Sequence, residues 1–456
     1  MFQINPKIFK AYDIRGIYQE DFDDDFAYNL GLAFVELRQE DVDYKPGTLK
    51  IAVGADMRSS SPALKEKLID GLISAGAEVI DLGLVATPTF YFSVGHKNYD
   101  GGIMISASHN PKEWNGFKLV RCQGIPISGE TGIEVLKEKI LKADLKPATK
   151  SGIVSIYNDA LEDEMAYTLN FLNTAFIKSL KIVVDTANGM GATYIKDLFE
   201  NLPINLIPLN FTLDGSFPAH EADPLKEENL EELKAAVLKE KADLGIATDG
   251  DGDRVFFIDN SGQTINPAII RGLLAKEFLI SKPGAKIGYD VRPGKITTDL
   301  IAEGGGKAIL TRVGHSLIKE QMLKEDIYFA GESSGHFYLK GGAGCFEYPG
   351  IMILELLKIF SPFKNNISDY LKQFEKYISS GEINCNANNK EEIFKKIETK
   401  YQTGEISKLD GLSVAFPDFW FNVRASNTES KIRLNLEAID RRTMEEKCRE
   451  VLDLIK

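Results

Sequence analysis

The fold is indicated first by the stretch Lys50-Ile51-Ala52-Val53-Gly54-Ala55-Asp56, an apolar run that ends at an acid and leads into turn residues and a helical pattern. Two similar stretches, KIVVDTA at 181–187 and KIGYDVR at 286–292, follow at successive intervals of 131 and 105 residues. Short β-branched runs that alternate with amphipathic ones are typical of α/β architecture with largely parallel strands. Because the intervals are as long as a domain, the sequence predicts three related α/β units in tandem.

The carboxy-terminal part of the chain has a different pattern. It predicts a helix at 367–377, a strand at 381–385, a helix at 391–401, strands within 411–437 and a helix at 443–455, an order typical of a smaller α+β domain. Boundaries are expected in polar, turn-rich connections. We therefore expect four domains, at 1–150, 151–259, 260–365 and 366–456.

Composition excludes several classes of protein. The 456 residues include 54 Lys and Arg against 67 Asp and Glu, and the net charge of −13 argues against sequence-independent nucleic-acid binding. Four scattered cysteines form no C-x-x-C pair, and the first residues lack the apolar run of a secretory signal. The apolar stretch at 71–94 contains two acids and a proline, so it does not predict a membrane span. We expect a cytoplasmic protein with no nucleic-acid or membrane partner.

The first chemically notable loop is SASHNP at 106–111, directly after a predicted strand at 102–105. Ser108 is thereby placed at the rim of a sheet, where open α/β folds bind ligands. Ser, Asn and Pro are also common in turns and helix caps, and that reading stays open. A serine nucleophile needs activation, and no Gly-x-Ser-x-Gly elbow surrounds Ser108.

The second loop is DGDGDR at 249–254, between predicted strands at 244–247 and 255–258. Carboxylates at alternating positions with intervening glycines suit Mg²⁺ or Ca²⁺. An EF-hand is excluded, because Arg254 stands where the turn glycine belongs and strands flank the loop. A solvated acidic turn is the alternative, but clustered carboxylates repel one another without a cation. We favour Mg²⁺, and the guanidinium of Arg254 could then donate two hydrogen bonds to a phosphate.

Two further loops carry polar clusters. GESSGH at 331–336 offers a carboxylate and hydroxyls for a sugar ring, and His315 precedes it at a predicted strand end. RASNTES at 424–430 packs donors suited to a phosphate dianion. A capped surface loop and a charged hairpin loop, respectively, are the alternatives.

Taken together, these loops resemble the α-D-phosphohexomutase superfamily, in particular bacterial phosphomannomutase/phosphoglucomutase. The resemblance covers essentially the whole chain and also includes FKAYDIRG at 9–16. It implies three similar α/β domains and a smaller fourth domain around a central cleft, with one loop from each domain.

The resemblance also implies a reaction. Ser108 is carried as a phosphoserine that donates its phosphoryl group to a hexose 1-phosphate, giving a hexose 1,6-bisphosphate that turns over in the site. Mg²⁺ is then held by a phosphoserine oxygen of Ser108 and by Asp249, Asp251 and Asp253. The same resemblance gives the remaining side chains roles: ring hydroxyls for Glu332 and Ser334, the distal phosphate for Tyr12, Arg424, Ser426, Asn427 and Thr428, acid–base work for Lys118 and His315, and support near the phosphates for Arg15 and His336.

Two departures from the family pattern stand out. Ser106 replaces a threonine, which is a mild change, and Arg292 occupies the position of a substrate-contacting lysine. An arginine there binds phosphate or hydroxyls but does not exchange protons at ordinary pH. The expected substrates are sugar phosphates of mannose, glucose or both, and a monomer is favoured. A phosphoglucosamine mutase, a Mg²⁺-dependent sugar phosphatase and a non-catalytic sugar-phosphate binding protein are the alternatives.

Overall fold

A computed structural model describes residues 4–41, 44, 47–142, 144–386, 389–425 and 431–455. The chain forms two compact units. The first contains the chain up to Ile265 together with 315–323 and 334–367, and the second contains 266–314, 324–333 and 368–456. Within the described ranges, no helix has the length and apolar character needed to cross a membrane.

The amino-terminal part of the first unit is an α/β domain. Its strands are β1 (Ile14–Ile17), β2 (Lys50–Ala55), β3 (Glu78–Leu84), β4 (Gly101–Ile105), β5 (Trp114–Arg121) and β6 (Ile153–Ile156), and its helices are α1 (Asp24–Glu40), α2 (Ser61–Ser74), α3 (Thr87–His96) and α4 (Glu134–Lys142). The sheet order is β1-β5-β4-β2-β3-β6. The predicted strand at 50–56 is β2, whose side chains are buried from Ile51 to Ala55 as expected for a central strand.

A second sheet follows in the same unit. It consists of β7 (Leu180–Asp185), β8 (Ile204–Leu209), β9 (Leu244–Thr248) and β10 (Val255–Asp259), with α5 (Ala160–Phe171), α6 (Gly191–Glu200) and α7 (Glu231–Glu240). Its order β10-β9-β7-β8 repeats the order β5-β4-β2-β3 of the first sheet. The predicted relationship between these two parts of the chain is confirmed.

Pairing is not parallel at one edge of each sheet. β5 pairs antiparallel with both β1 and β4, and β10 pairs antiparallel with β9, while β2 pairs parallel with β4 and β7 pairs parallel with β9. The two chemically notable loops, 106–111 and 249–254, lie within these antiparallel connections. Connections this short reverse the chain but are too short for a crossover to a parallel strand.

The rest of the first unit includes most of α10 (His315–Glu325), the antiparallel hairpin of β14 (Phe337–Lys340) and β15 (Cys345–Glu347), and α11 (Pro349–Phe360). These elements carry His315 and Glu347, and His336 directly precedes β14. Helix α11 is buried along most of its length, from Pro349 to Leu357, as its continuous apolar sequence predicts.

The second unit begins with the third repeat. It contains α8 (Pro267–Ser281), β11 (Lys286–Asp290), α9 (Lys295–Glu303), β12 (Lys307–Thr311) and β13 (Ile327–Gly331). β11 pairs parallel with both β12 and β13. The predicted strand at 286–292 is β11, so the third of the three predicted α/β repeats is also present.

An antiparallel domain completes the second unit. Its elements are α12 (Ile367–Leu371), β16 (Ile378–Asn386), α13 (Lys390–Lys400), β17 (Glu405–Ser407), β18 (Leu412–Ala415), β19 (Phe419–Ala425), β20 (Lys431–Ala438) and α14 (Arg441–Ile455). The sheet order is β16-β20-β19-β18-β17. The predicted fold class, three similar α/β domains and a smaller α+β domain, is confirmed, and the exact boundaries at 150, 259 and 365 stay predictions.

The helix predicted at 367–377 is wrong beyond Leu371. The chain forms a single 3₁₀ turn at Lys372–Phe374, and β16 begins at Ile378. Tyr377 packs edge-on against Trp420 with ring centroids 5.1 Å apart, and its hydroxyl hydrogen-bonds to Asp299. These tertiary contacts outweigh the local helical pattern.

Candidate active site

Ser108 lies in the connection between β4 and β5 with a left-handed backbone conformation, φ 51°. Its side chain is buried, and Oγ donates a hydrogen bond to Asp249 Oδ2 at 2.6 Å. Its main-chain N–H donates to Ser106 Oγ at 2.9 Å. A non-glycine residue in this conformation is uncommon, and the contact with Asp249 brings the serine loop against the acidic loop.

Arg58 holds the serine loop from within the unit. Its guanidinium donates to four main-chain oxygens, those of Ser108 (2.8 Å), Asn110 (2.6 Å), Pro111 (2.7 Å) and Trp114 (2.9 Å). Arg58 belongs to none of the motifs identified in the sequence. A weak signal existed, because Arg58 comes just after the first of the three repeated strands, where α/β folds place functional side chains.

The acidic loop brings three carboxylates together. Oxygens of Asp249, Asp251 and Asp253 lie within 4.8 Å of one another, and all three residues are buried. Lys118 donates to Asp251 Oδ2 at 2.6 Å and to Asp253 Oδ2 at 2.5 Å. Thr87 Oγ1 also donates to Asp251 Oδ2, at 2.6 Å.

The charges of this cluster act on one another. Burial raises the pKa of Asp249, and the charges of Asp253 and Asp251 raise it further. Burial alone would also raise the pKa of Asp251, but the ion pair with Lys118 outweighs it and the pKa is lowered. Asp251 Oδ1 and Asp253 Oδ1 are buried with no hydrogen-bond partner among the described residues. Buried, converging carboxylate oxygens that lack donors fit a hard cation such as Mg²⁺.

Arg15 contacts the serine loop, and Tyr12 and His315 contact each other. Arg15 Nη1 donates to Ala107 O at 3.2 Å and to Asn110 Oδ1 at 2.9 Å. The rings of Tyr12 and His315 meet edge-on with centroids 5.7 Å apart. Burial lowers the pKa of His315, and the positive charges of Lys319 and Lys118 lower it further. His315 Nε2 has no hydrogen-bond partner in the described part of the chain, so a neutral imidazole nitrogen remains available.

Arg254 and His336 are hydrogen-bonded to each other. Arg254 Nε donates to His336 Nε2 at 2.8 Å, and His336 Nδ1 faces Glu347 Oε1 at 3.5 Å and Asp253 Oδ1 at 3.6 Å. Glu347 in turn pairs with Lys319 Nζ at 2.9 Å, with both side chains at most 1% exposed. Burial would raise the pKa of Glu347, but Lys319 and His336 outweigh it and lower the pKa to about 2. Neither Lys319 nor Glu347 belongs to a motif identified in the sequence.

In the second unit, Arg292 and Glu332 are neighbours. Arg292 Nη2 lies 3.5 Å from Glu332 Oε1 and also forms an ion pair with Asp290. The N–H of Gly314 donates to Glu332 Oε1 at 3.0 Å. Arg292 also lines a cavity of about 680 Å³ within this unit.

The remaining predicted residues divide between the units. Ser334 belongs to the first unit and is buried. Arg424 belongs to the second and pairs with Glu382 at 3.2 Å. Ser426, Asn427 and Thr428 lie outside the described residues. The first unit therefore brings together the larger group of predicted site residues: Ser108, Arg15, Lys118, Asp249, Asp251, Asp253, Arg254 and His336.

Four family models match consecutive parts of the chain. They describe phosphoglucomutase/phosphomannomutase domains: the alpha/beta/alpha domain I at 6–146, domain II at 157–262, domain III at 266–377 and the C-terminal domain at 382–454. Together they cover most of the chain, in the order expected for four tandem domains.

Curated relatives extend over the full length. A phosphomannomutase of Methanocaldococcus jannaschii is 40% identical over 450 residues, covering 98% of this chain and 97% of that protein. A phosphomannomutase of Escherichia coli K12 is 37% identical over 462 residues, covering 98% of each.

A solved structure agrees over the same extent. A phosphoglucomutase/phosphomannomutase family protein of Burkholderia thailandensis superposes with a TM-score of 0.88 at 32% identity, covering 99% of this chain and 98% of that one. A structure from Thermus thermophilus, described as a phosphomannomutase, shares the fold with a TM-score of 0.78 at 23% identity and covers 98% of each chain. The chain belongs to the phosphoglucomutase/phosphomannomutase family.

Proposed function

We propose that this protein interconverts hexose 1-phosphates and hexose 6-phosphates, of mannose, glucose or both, through a phosphoserine at position 108. The observation that carries the proposal is the 2.6 Å contact between Ser108 Oγ and Asp249 Oδ2, inside a cluster of three buried carboxylates. The names of the full-length relatives, phosphomannomutase among them, support the same reaction.

The proposed first step is a phosphoryl transfer from Ser108 to the 6-hydroxyl of a hexose 1-phosphate. The bond from phosphorus to Ser108 Oγ breaks, a bond from phosphorus to the sugar oxygen forms, and the hydroxyl proton passes to a base. The hexose 1,6-bisphosphate then reverses its orientation in the site and returns its other phosphoryl group to Ser108. The reaction therefore consumes no net phosphate.

Residues of the first unit meet the needs of this step. Asp249, Asp251, Asp253 and an oxygen of phosphorylated Ser108 would hold Mg²⁺, which when bound supplies positive charge to the transferring group. His315 has the properties of the base, since its Nε2 lacks a protein partner among the described residues and burial keeps the ring neutral. Lys118, Arg15 and Arg254 add positive charge around the serine loop.

Substrate recognition is assigned to the remaining predicted residues. We assign the ring hydroxyls to Glu332 and Ser334, and the distal phosphate to Tyr12, Arg424, Ser426, Asn427 and Thr428. Arg292 would add a further donor beside Glu332. A cytoplasmic location and a monomeric state stay predictions.

Phosphorus NMR tests the reaction. Incubation with glucose 1-phosphate, Mg²⁺ and a trace of glucose 1,6-bisphosphate is expected to produce glucose 6-phosphate, and the Ser108→Ala and Asp251→Asn variants are expected to lose most of the activity while staying folded. Dominant release of inorganic phosphate would instead indicate a phosphatase.

Substrate preference and the covalent intermediate need separate measurements. Comparing kcat/KM for mannose, glucose and glucosamine 1-phosphates decides the sugar, and a preference for glucosamine 1-phosphate would favour a phosphoglucosamine mutase. Mass spectrometry after incubation with glucose 1,6-bisphosphate is expected to find phosphate on the peptide that contains Ser108. An unmodified peptide together with sugar-phosphate binding would support a non-catalytic binding protein.

A further inference from the structure

Four buried side chains form a continuous polar chain behind the acidic loop. Lys319 Nζ lies 2.9 Å from Glu347 Oε2, Glu347 Oε1 lies 3.5 Å from His336 Nδ1, and His336 Nε2 accepts a hydrogen bond from Arg254 Nε at 2.8 Å. The elements that carry them are α10, β15, the residue before β14, and the residue before β10. This order leaves Arg254 at one end, next to the metal-binding carboxylates.

The bond from Arg254 fixes the tautomer of His336. A guanidinium has only donors, so Nε2 of His336 must present its lone pair to Arg254 Nε–H. The proton of the neutral imidazole then lies on Nδ1, the nitrogen that faces the oxygens of Glu347 and Asp253. Nδ1, Glu347 Oε1 and Asp253 Oδ1 are all buried, and none of them has a hydrogen-bond partner among the described residues.

The Nδ1–H tautomer of His336 excludes a metal ion from the group formed by Asp253, His336 and Glu347. Asp253, His336 and Glu347 have the residue types of a metal site and lie close enough together for one. A metal on Nδ1 would require its lone pair, whereas Arg254 already requires the lone pair on Nε2. A neutral imidazole has one such lone pair, so Nδ1 has none to offer a metal while Arg254 stays in place.

The hydrogen bond to His336 also determines which nitrogens of the Arg254 guanidinium remain available to a ligand. Its Nε is used by His336, and among the residues that the structure describes neither Nη has a hydrogen-bond partner. Both Nη groups retain access to solvent, since neither is among the fully enclosed atoms. The pair of Nη groups forms a bidentate edge that matches two oxygens of a phosphate.

We propose that Glu347 and Lys319 are positioning residues, which hold His336 as the Nδ1–H tautomer so that Arg254 presents its Nη edge to a substrate phosphate. The phosphate as ligand rests on the proposed function, whereas the tautomer rests on the contacts alone. Lys319 balances the charge of Glu347 inside the protein, which keeps a carboxylate available as the acceptor for Nδ1–H.

Nitrogen NMR tests the tautomer without any need for activity. The chain has five histidines, so the ring signals of protein labelled with ¹⁵N-histidine are few, and a His336→Gln variant identifies those of His336. The wild type at neutral pH is expected to show His336 protonated on Nδ1 and not on Nε2. An Nε2–H tautomer or an imidazolium would overturn the inference, even if the protein proves to be a mutase.

A double-mutant cycle tests whether Glu347 affects the activity by positioning Arg254. Glu347→Gln is expected to lower kcat/KM for glucose 1-phosphate by about 10- to 100-fold, the usual range for residues that orient a functional side chain. In an Arg254→Lys background, which lacks Nε, the same change is expected to cost no more than about threefold. Equal losses in the two backgrounds, or no loss in the wild-type background, would overturn the inference.

Two further variants control for folding. Glu347→Gln leaves Lys319 buried and unpaired, so the cycle is repeated with Glu347→Gln and Lys319→Met combined as one step, which removes both charges. Glu164→Gln makes the same chemical change at another buried carboxylate of the first unit, which accepts a hydrogen bond from Thr89. It is expected to leave kcat/KM unchanged.

Discussion

Arg58 Nη2 lies 2.8 Å from the main-chain oxygen of Ser108, and the same guanidinium binds three further carbonyl oxygens of the loop that carries this serine. Ser108 has a positive φ, a conformation that needs support from its surroundings. Arg58 supplies that support from the residues that follow β2, so the first repeated strand helps to set the position of the Ser108 hydroxyl.

We expect Arg58→Lys to lower kcat by about 100-fold, because displacing reacting groups by about 1 Å has an effect of that order. A lysine keeps the charge beside Asp56 but cannot reach four carbonyls at once. The measurement is kcat together with the fraction of phosphorylated Ser108 by intact mass. Arg121→Lys, at an arginine that binds Asp41 instead, should leave kcat unchanged, and normal turnover in Arg58→Lys would contradict the role.

Gly250 allows the acidic loop to approach the serine loop. A Cβ at this position would lie 2.4 Å from the main-chain oxygen of Ser108, which is closer than atoms can pack. We expect Gly250→Ala to separate Ser108 from Asp249 and lower kcat by about 100-fold. Gly342→Ala is the matched control, since its Cβ would meet only Tyr167 at ordinary contact distances. Equal activity of the two variants would show that the close approach is dispensable.

The strands and loops of the site were predictable, whereas the contacts between them were not. The pattern at 50–56 recurs because each repeat buries a central strand on both faces, and the acidic loop is visible because its chemistry lies in consecutive residues. Lys319 and Glu347 contact residues distant in the chain, so no local spacing marks them, and Arg58 is marked only by its position just after a repeated strand. The end of the helix at Leu371 depends on Tyr377 meeting Trp420, which is likewise a tertiary contact.

Lys118 is the internal cation of the acidic loop. We expect Lys118→Met to destabilise the protein in EDTA by about 3–5 kcal/mol, the usual effect of breaking a buried ion pair. Millimolar Mg²⁺ should recover part of this loss, because a bound cation stabilises the folded state. The apparent Tm with and without Mg²⁺ measures both effects.

The control for that experiment is Lys319→Met, which breaks a buried ion pair with Glu347, a carboxylate outside the acidic loop. Its loss of stability should be the same with and without Mg²⁺. A Mg²⁺ response of Lys118→Met no larger than that of Lys319→Met would show that the carboxylates do not bind the ion.

Glu164 makes stability depend on pH. Burial raises its pKa to about 7, although the hydrogen bond from Thr89 opposes the shift. The unfolded chain gives up this proton near the ordinary pKa of about 4.5, so the stability present below that pH is lost as pH rises through 7. Glu164→Gln cannot ionise and should therefore be more stable than the wild type at pH 8 by about 3 kcal/mol, with little difference at pH 4.

Urea unfolding at both pH values measures this difference in stability, with the exposed Glu138→Gln as a control that should show neither effect. A wild type as stable as Glu164→Gln at pH 8 would mean that the carboxylate is solvated, and the packing of α5 against α3 would then have to admit water.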